Sequence, residues 1–175
     1  EESVDGMVSS MRSIGIDLQP EIQNACLRIL SAMPESMGIE EHLHQKITAI
    51  KKFQPEHVVL DAMSACKRIA GDKAAFDFLV RIIHLCKERG ITVVLINQAG
   101  NSPEDHEISG FGISSVIDTI LILYYRDVGN ETRRILQVKK SRGSNHSHKY
   151  WNFSISDNGI QIEETNPEKT TVAID

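Results

Sequence analysis

Apolar residues recur along the first half of the chain at two different spacings. Val4, Met7, Val8 and Met11 fall at i, i+3, i+4 and i+7, which predicts one face of a helix. Gly15 offers a stop for that helix before Ile16-Asp17. Cys26 to Ala32 reads CLRILSA, alternating and largely apolar, and predicts a strand closed by Met33-Pro34. Ile39, Leu43, Ile47 and Ile50 give a second helical stripe. Pro55 separates it from His57-Val58-Val59-Leu60-Asp61, a short buried strand ending in an acid. Phe76, Leu79, Val80, Ile83 and Cys86 mark a third helix, stopped at Gly90. Ile91 to Ile96, ITVVLI, is the kind of apolar run that a parallel sheet covers on both faces.

The pattern changes after Asn97. Residues 98–112 are polar and Gly-rich, a long surface loop. Ile117 to Tyr125 and Arg133 to Lys140 read as strands around a Gly129-Asn130 turn, an antiparallel hairpin. Tyr150 to Ile155 is another strand, Asp157-Asn158-Gly159 a tight turn, and Ile160 to Ile162 a short partner. The expected organisation is one domain over residues 1–162 and a polar tail over 163–175. The fold class is α/β with a parallel sheet flanked by helices, followed by antiparallel strands.

Composition narrows the function. The chain has 175 residues, one domain's worth, with 41% hydrophobic and 25% charged residues. Nineteen basic residues against 24 acidic ones leave a net charge of −5, which argues against holding DNA by bulk electrostatics. No apolar run approaches the ~20 residues of a membrane span, and no leader pattern opens the chain. Cys26, Cys66 and Cys86 are dispersed and form no CxxC pair. They are expected to be reduced and buried, as in a cytoplasmic protein. The chain opens Glu1-Glu2-Ser3 without a methionine, as though cut from something longer.

In open α/β sheets, ligands sit beyond the carboxyl ends of the strands. That rule singles out Glu1-Glu2, Asp61 and Asn97-Gln98. Asp61 after an apolar strand is the Walker B arrangement, a carboxylate held where a hydrated magnesium ion must lie. It is equally a residue that caps helices. Glu1 and Glu2 read either as a catalytic base and its partner or as charges favourable at a helix N-terminus. Asn97 either senses a γ-phosphate or is a polar strand end.

Lys140 and Arg142 stand two apart in a strand, so both leave one face roughly 7 Å apart. Gly143, Ser144, Asn145 and His146 follow. Two cations, a glycine, a hydroxyl and an imidazole together suit a polyphosphate, or else decorate a solvated edge strand. Ser109, Ser114 and Ser115 lie in or beside the Gly-rich loop, where serine ordinarily serves turn chemistry. His42 and His44 fit no metal-ligand motif, His146 and His148 make a weak pair, and no structural zinc is expected.

Taken in order, these motifs resemble the C-terminal two-thirds of a KaiC-type domain, the RecA-like P-loop ATPase module. The likeness is carried by Glu1-Glu2-Ser3, Gly15-Ile16-Asp17, Pro34-Glu35-Ser36, Val59-Leu60-Asp61-Ala62-Met63-Ser64-Ala65, Ile117-Asp118-Thr119-Ile120 and Lys140-Ser141-Arg142-Gly143-Ser144-Asn145-His146. The resemblance implies ATP and magnesium as cofactors, with Glu1 and Glu2 as paired catalytic glutamates and Asp61 as the Walker B acid. It implies that Lys140, Arg142 and His146 reach the nucleotide of the neighbouring subunit in a homo-hexameric ring. It places Ser114 and Ser115 at a paired phosphorylation position and Ser109 near an auxiliary one. It further implies regulatory protein partners and a cytoplasmic setting.

The phosphate-binding pattern GxxxxGK followed by Ser or Thr occurs nowhere in the 175 residues. Its amides and lysine supply most phosphate binding in such folds, so this chain alone is expected to lack tight ATP binding. Two alternatives share the fold. A recombination or repair ATPase would need basic, aromatic-bearing DNA loops, whereas Glu104, Asp105 and Glu107 make residues 100–112 acidic. A non-catalytic regulatory module would have no use for Glu1, Glu2, Asp61, Lys140 and Arg142.

Overall fold

The computed structural model describes residues 2–98 and 112–164. They form two compact units, Ala32–Ile117 and Glu2–Ser31 with Asp118 onward. Each is described by itself.

The first unit is a β-α-β crossover with one added helix. Two helices of the second unit, α1 (Val4–Arg12) and α2 (Gln19–Gln23), precede it in the chain. After a 3-10 turn at Pro34–Ser36 come α3 (Ile39–Phe53), β1 (His57–Asp61), α4 (Met63–Glu88) and β2 (Thr92–Ile96). Helix α3 ends because Gln54 turns left-handed (φ 50°) ahead of Pro55. β1 and β2 run parallel, His57 opposite Thr92 through Asp61 opposite Ile96. Their inward residues Val58, Leu60, Val93 and Leu95 pack on a core of Leu43, Ile50, Met63, Ala75, Phe78, Leu79, Ile82, Ile83, Cys86 and Ile113. Each large side chain buried there stabilises the fold by about 1.5–3 kcal/mol.

Three expectations change in this unit. The core stripe of α4 is Ala75, Phe78, Leu79, Ile82, Ile83 and Cys86, while Phe76 is exposed. The helix also begins at Met63, earlier than its periodicity suggests, because helical dihedrals break at Gly71 (φ 75°, ψ 178°) and split the apolar register. β2 is covered on one face only among the described residues. Val59 and Val94 on the other face are 60% and 47% exposed, since both helices pack on the Val58 and Leu60 side.

The second unit starts with α1, capped by the Ser3 hydroxyl, which accepts from the Gly6 amide at 3.0 Å. The short α2 follows, which the apolar spacing does not announce. The strand expected over Cys26–Ala32 is absent. Leu27 and Ile29 are half-buried between exposed Arg28 and Leu30, so the alternation holds. A strand also needs a neighbour's amides and carbonyls, and among the described residues none pairs with this segment. Cys26 is exposed rather than buried.

The rest is a meander, β3 (Thr119–Val128), β4 (Glu131–Ser141), β5 (Tyr150–Ser156) and β6 (Gly159–Glu164), paired antiparallel in chain order. Val128 faces Glu131 across Gly129-Asn130, as the hairpin reading expects.

Gly15 closes the loop after α1 with φ 79°, and a Cβ there would run into the Asp157 carbonyl in the β5–β6 turn. Gly15→Ala therefore combines a left-handed cost of about 1–2 kcal/mol with overpacking of about 1–3 kcal/mol. Urea unfolding should show a lower midpoint at unchanged slope. An unchanged midpoint would show that the turn simply moves aside.

Candidate functional site

In the first unit, the parallel register decides what stands at the carboxyl edge. Asp61 ends β1 opposite Ile96, and Asn97 follows Ile96 directly. Alternation sends Val58 and Leu60 into the core and leaves Asp61 exposed. The peptide joining Asp61 to Ala62 is cis. Ala62, not Asp61, occupies the N-cap position of α4 and makes no side-chain cap bond. The capping explanation of Asp61 therefore has no support in the geometry. Asn97 is half-buried beside it at the strand end.

Ser114 and Ser115 lie in a 3-10 turn, Ile113–Ser115. Ile113 plugs the core at 1% exposure, and Lys87 Nζ donates to the Val116 carbonyl at 3.0 Å, fixing the turn at both ends. Ser114 is half-buried and Ser115 exposed. Ser109 lies outside the described residues, with most of the expected 98–112 loop.

In the second unit, Glu2 precedes the Ser3 cap. Its carboxylate accepts from Ser10 Oγ at 3.3 Å, and its carbonyl accepts from Ser31 Oγ at 2.6 Å. Glu1 is outside the described residues.

The second unit also carries the cationic turn. Ile120 pairs with Lys140 but Leu121 with Val138, so Lys139 is the extra residue of a β-bulge. The bulge places Lys140 half-buried opposite Ile120 and leaves Lys139 exposed. β4 ends at Ser141, so Arg142 opens the turn rather than sharing a strand face with Lys140. Its amide still donates to the Asp118 carbonyl at 2.9 Å. The Ser141 and Ser144 hydroxyls meet at 2.7 Å across Arg142 and Gly143. The His146 and His148 rings lie 4.9 Å apart. Arg142, Gly143 and Ser144 thus form one closed turn, with Lys140 in the strand before it and His146 just after it.

Among the described residues no three His, Cys, Asp or Glu side chains gather as a metal cage. No helix among them is long and apolar enough to cross a membrane. Magnesium typically uses one or two carboxylates together with waters and substrate phosphates, so a single exposed carboxylate such as Asp61 fits it.

The family model for the KaiC ATPase matches residues 1–167. The chain belongs to the KaiC ATPase family. It is similar to the circadian clock oscillator protein KaiC of Prochlorococcus marinus strain MIT 9313, 34% identical over 165 residues, 94% of this chain and 33% of that protein. The KaiC of Parathermosynechococcus lividus is 34% identical across 94% of this chain and 30% of its own length. That of Synechococcus elongatus is 32% identical across 94% and 32%. The chain spans about a third of the length of the curated relatives it matches. Membership of the KaiC family makes the fold RecA-like α/β, in keeping with the parallel pair and the antiparallel sheet.

Some residues that matter to the geometry carried no functional reading in the sequence. His42, unmatched to any motif, is buried on the α3 stripe, and its Nε2 meets the Pro34 carbonyl at 2.8 Å. Its position between Ile39 and Leu43 is the signal for burial. Glu35 of the same turn accepts from Arg68 Nε of α4 at 3.0 Å. No local spacing announces that pair, which is 33 residues apart. In the α3–α4 layer, burial pushes the Cys66 thiol up, and burial likewise pulls the Lys46 ammonium down beneath its usual value. Lys46 Nζ lies 5.8 Å from the Phe78 ring centre.

The Arg68 hydrogen bond holds the Glu35 carboxyl below its ordinary value of about 4.3. A lowered native value means that the pair's contribution is present above the unfolded value and is lost as pH falls through the native one. NMR titration should therefore place the Glu35 midpoint below that of an unpaired glutamate, and Arg68→Gln should raise it. A midpoint that does not respond to Arg68→Gln would show that the pair does not persist in solution.

Proposed function

We propose that this chain carries the metal-binding carboxylate and the transferred-phosphate cations of a KaiC-type domain that hydrolyses ATP with magnesium at subunit interfaces. The observation that carries the reading is Asp61, an exposed acid ending an apolar strand at the carboxyl edge of a parallel pair, in a chain of the KaiC ATPase family. Magnesium held through Asp61 and its waters supplies charge neutralisation on the phosphates. Glu1 takes the proton of the attacking water and Glu2 supports it. Asn97, at the same edge, donates to a terminal phosphate.

Lys140, Arg142, Ser144 and His146 bind the nucleotide of the next subunit in a hexameric ring, with Gly143 letting the backbone approach. Two cations separated by one residue, Lys140 at the strand end and Arg142 in the turn after it, suit a polyphosphate better than a lone charge. Serine autophosphorylation is a second reading, and exposure favours Ser115 over Ser114 as acceptor.

In the full-length protein, Glu1→Gln should lower ATP turnover by ~10²–10⁴-fold through loss of a general base. Asp61→Asn should raise the magnesium concentration needed for half-maximal turnover. Unchanged turnover in the first variant rules Glu1 out as the base. An unchanged magnesium requirement in the second removes Asp61 from the metal site.

The trans assignment has its own test. Rings of Arg142→Ala subunits and rings of Glu1→Gln subunits should each be inactive, since a cation offered across an interface is worth ~10³–10⁵ in rate in other phosphoryl-transfer systems. Mixed rings place both defects at some interfaces and neither at others, so partial activity should return. Mixed rings that form yet stay inactive overturn the assignment.

A further inference from the structure

The helix that follows Asp61 is broken where it matters for the site. Gly71 has φ 75° and ψ 178°, outside the helical region, and a side chain there would be strained. The break leaves residues 63–70 as a separate two-turn helical piece. A helix that short is marginal by its own hydrogen bonds, so tertiary contacts must set its position. Met63 supplies the apolar contact, 3% exposed in the core. Lys67 Nζ bridges the break to Asp72 at 2.9 Å. Arg68 Nε reaches Glu35 at 3.0 Å.

Glu35 is itself well fixed. Pro34 before it is buried, and its carbonyl meets His42 of α3. Ser36 after it closes the turn onto the Met33 carbonyl at 2.6 Å. Beyond the break, Arg81 of α4 reaches Glu40 of α3 at 3.2 Å. The two parts of α4 are therefore hooked separately onto residues 35–40, one on each side of Gly71.

We propose that Glu35 is a positioning residue for the Asp61 metal site, holding the 63–70 piece through Arg68 and, through Ala62 and Met63, the carboxylate of Asp61. The inference rests on the reading of Asp61 as the magnesium ligand. Without the Glu35 carboxylate, the piece swings about Gly71 and Asp61 samples orientations that hold the metal less well. Glu35 touches neither metal nor nucleotide in this role, so it tunes metal affinity and leaves the chemistry at saturating metal alone.

The test uses the full-length protein, with manganese plus ADP as the probe and electron paramagnetic resonance as the readout. Glu35→Gln should weaken manganese binding by about two- to fivefold, the range open to an exposed ion pair. Hydrogen exchange should speed up in residues 63–70 while α3 stays protected. The half-saturating magnesium for turnover should rise with kcat unchanged. The charge-reversed pair Glu35→Arg with Arg68→Glu should recover part of the loss, which ties the effect to the ion pair and not to either side chain alone. Unchanged manganese affinity in Glu35→Gln, with Asp61→Asn losing the metal, overturns the positioning role and leaves the Asp61 reading intact. Unchanged affinity in Asp61→Asn overturns both.

Discussion

Parallel strands cannot be joined by a tight turn; the chain must cross back over the sheet before the second strand begins. Between β1 and β2 that crossing is α4, and its length and burial determine how the two strands meet. Ala75, Phe78, Leu79, Ile82, Ile83 and Cys86 lie on the core face of its second part. That stripe lays the helix on the Val58 and Leu60 side of the sheet and brings β2 into register with β1. Once the register is set, Asp61 and Asn97 have no choice of edge. Both leave the carboxyl ends of neighbouring strands, with the acid exposed by simple alternation.

The antiparallel sheet solves a different problem, that of aiming cations at the end of a strand. A regular ladder would pair Ile120 with Lys139. The inserted residue shifts Lys140 into that place and ends the strand one residue later. Arg142 then lies in the turn, tied by its amide to Asp118, and the hydroxyls of Ser141 and Ser144 close across it. The cations are thereby separated by role: Lys140 from a half-buried ladder position, Arg142 from a turn.

How much of this was legible depends on range. Helices α1 and α3, strand β1 and the hairpin of β3 and β4 were legible because a repeating apolar stripe or a turn residue announces each locally. The strand over 26–32 was misread because alternation reports only which side chains face in; pairing needs a partner elsewhere in the chain. Phe76 is exposed because the stripe runs through its neighbours Ala75 and Phe78, and spacings of three and four from Leu79 and Val80 do not say which of these adjacent positions faces the core. The acid at the strand end was legible, but not that Ala62 takes the capping position. The bulge left no local mark, since Lys139 and Lys140 are the same residue type and only the register tells them apart. The Glu35–Arg68 pair joins two segments that no periodicity links.

The Gly71 break also bears on stability and mobility together. An unbroken 26-residue helix would transmit any movement of its first turn to the core stripe. Interrupting it separates the requirements: the second part packs as core, and the first is held by Met63 and a few polar contacts. Exposed pairs such as Arg68 with Glu35 are individually weak, with a median near 0–1 kcal/mol. Weakness suits a segment beside the carboxyl edge of the strands, because a contact of that size can yield without unfolding anything else. The rigid register of β1 and β2 fixes where Asp61 stands, and the lightly held piece after it governs how closely the carboxylate keeps one orientation.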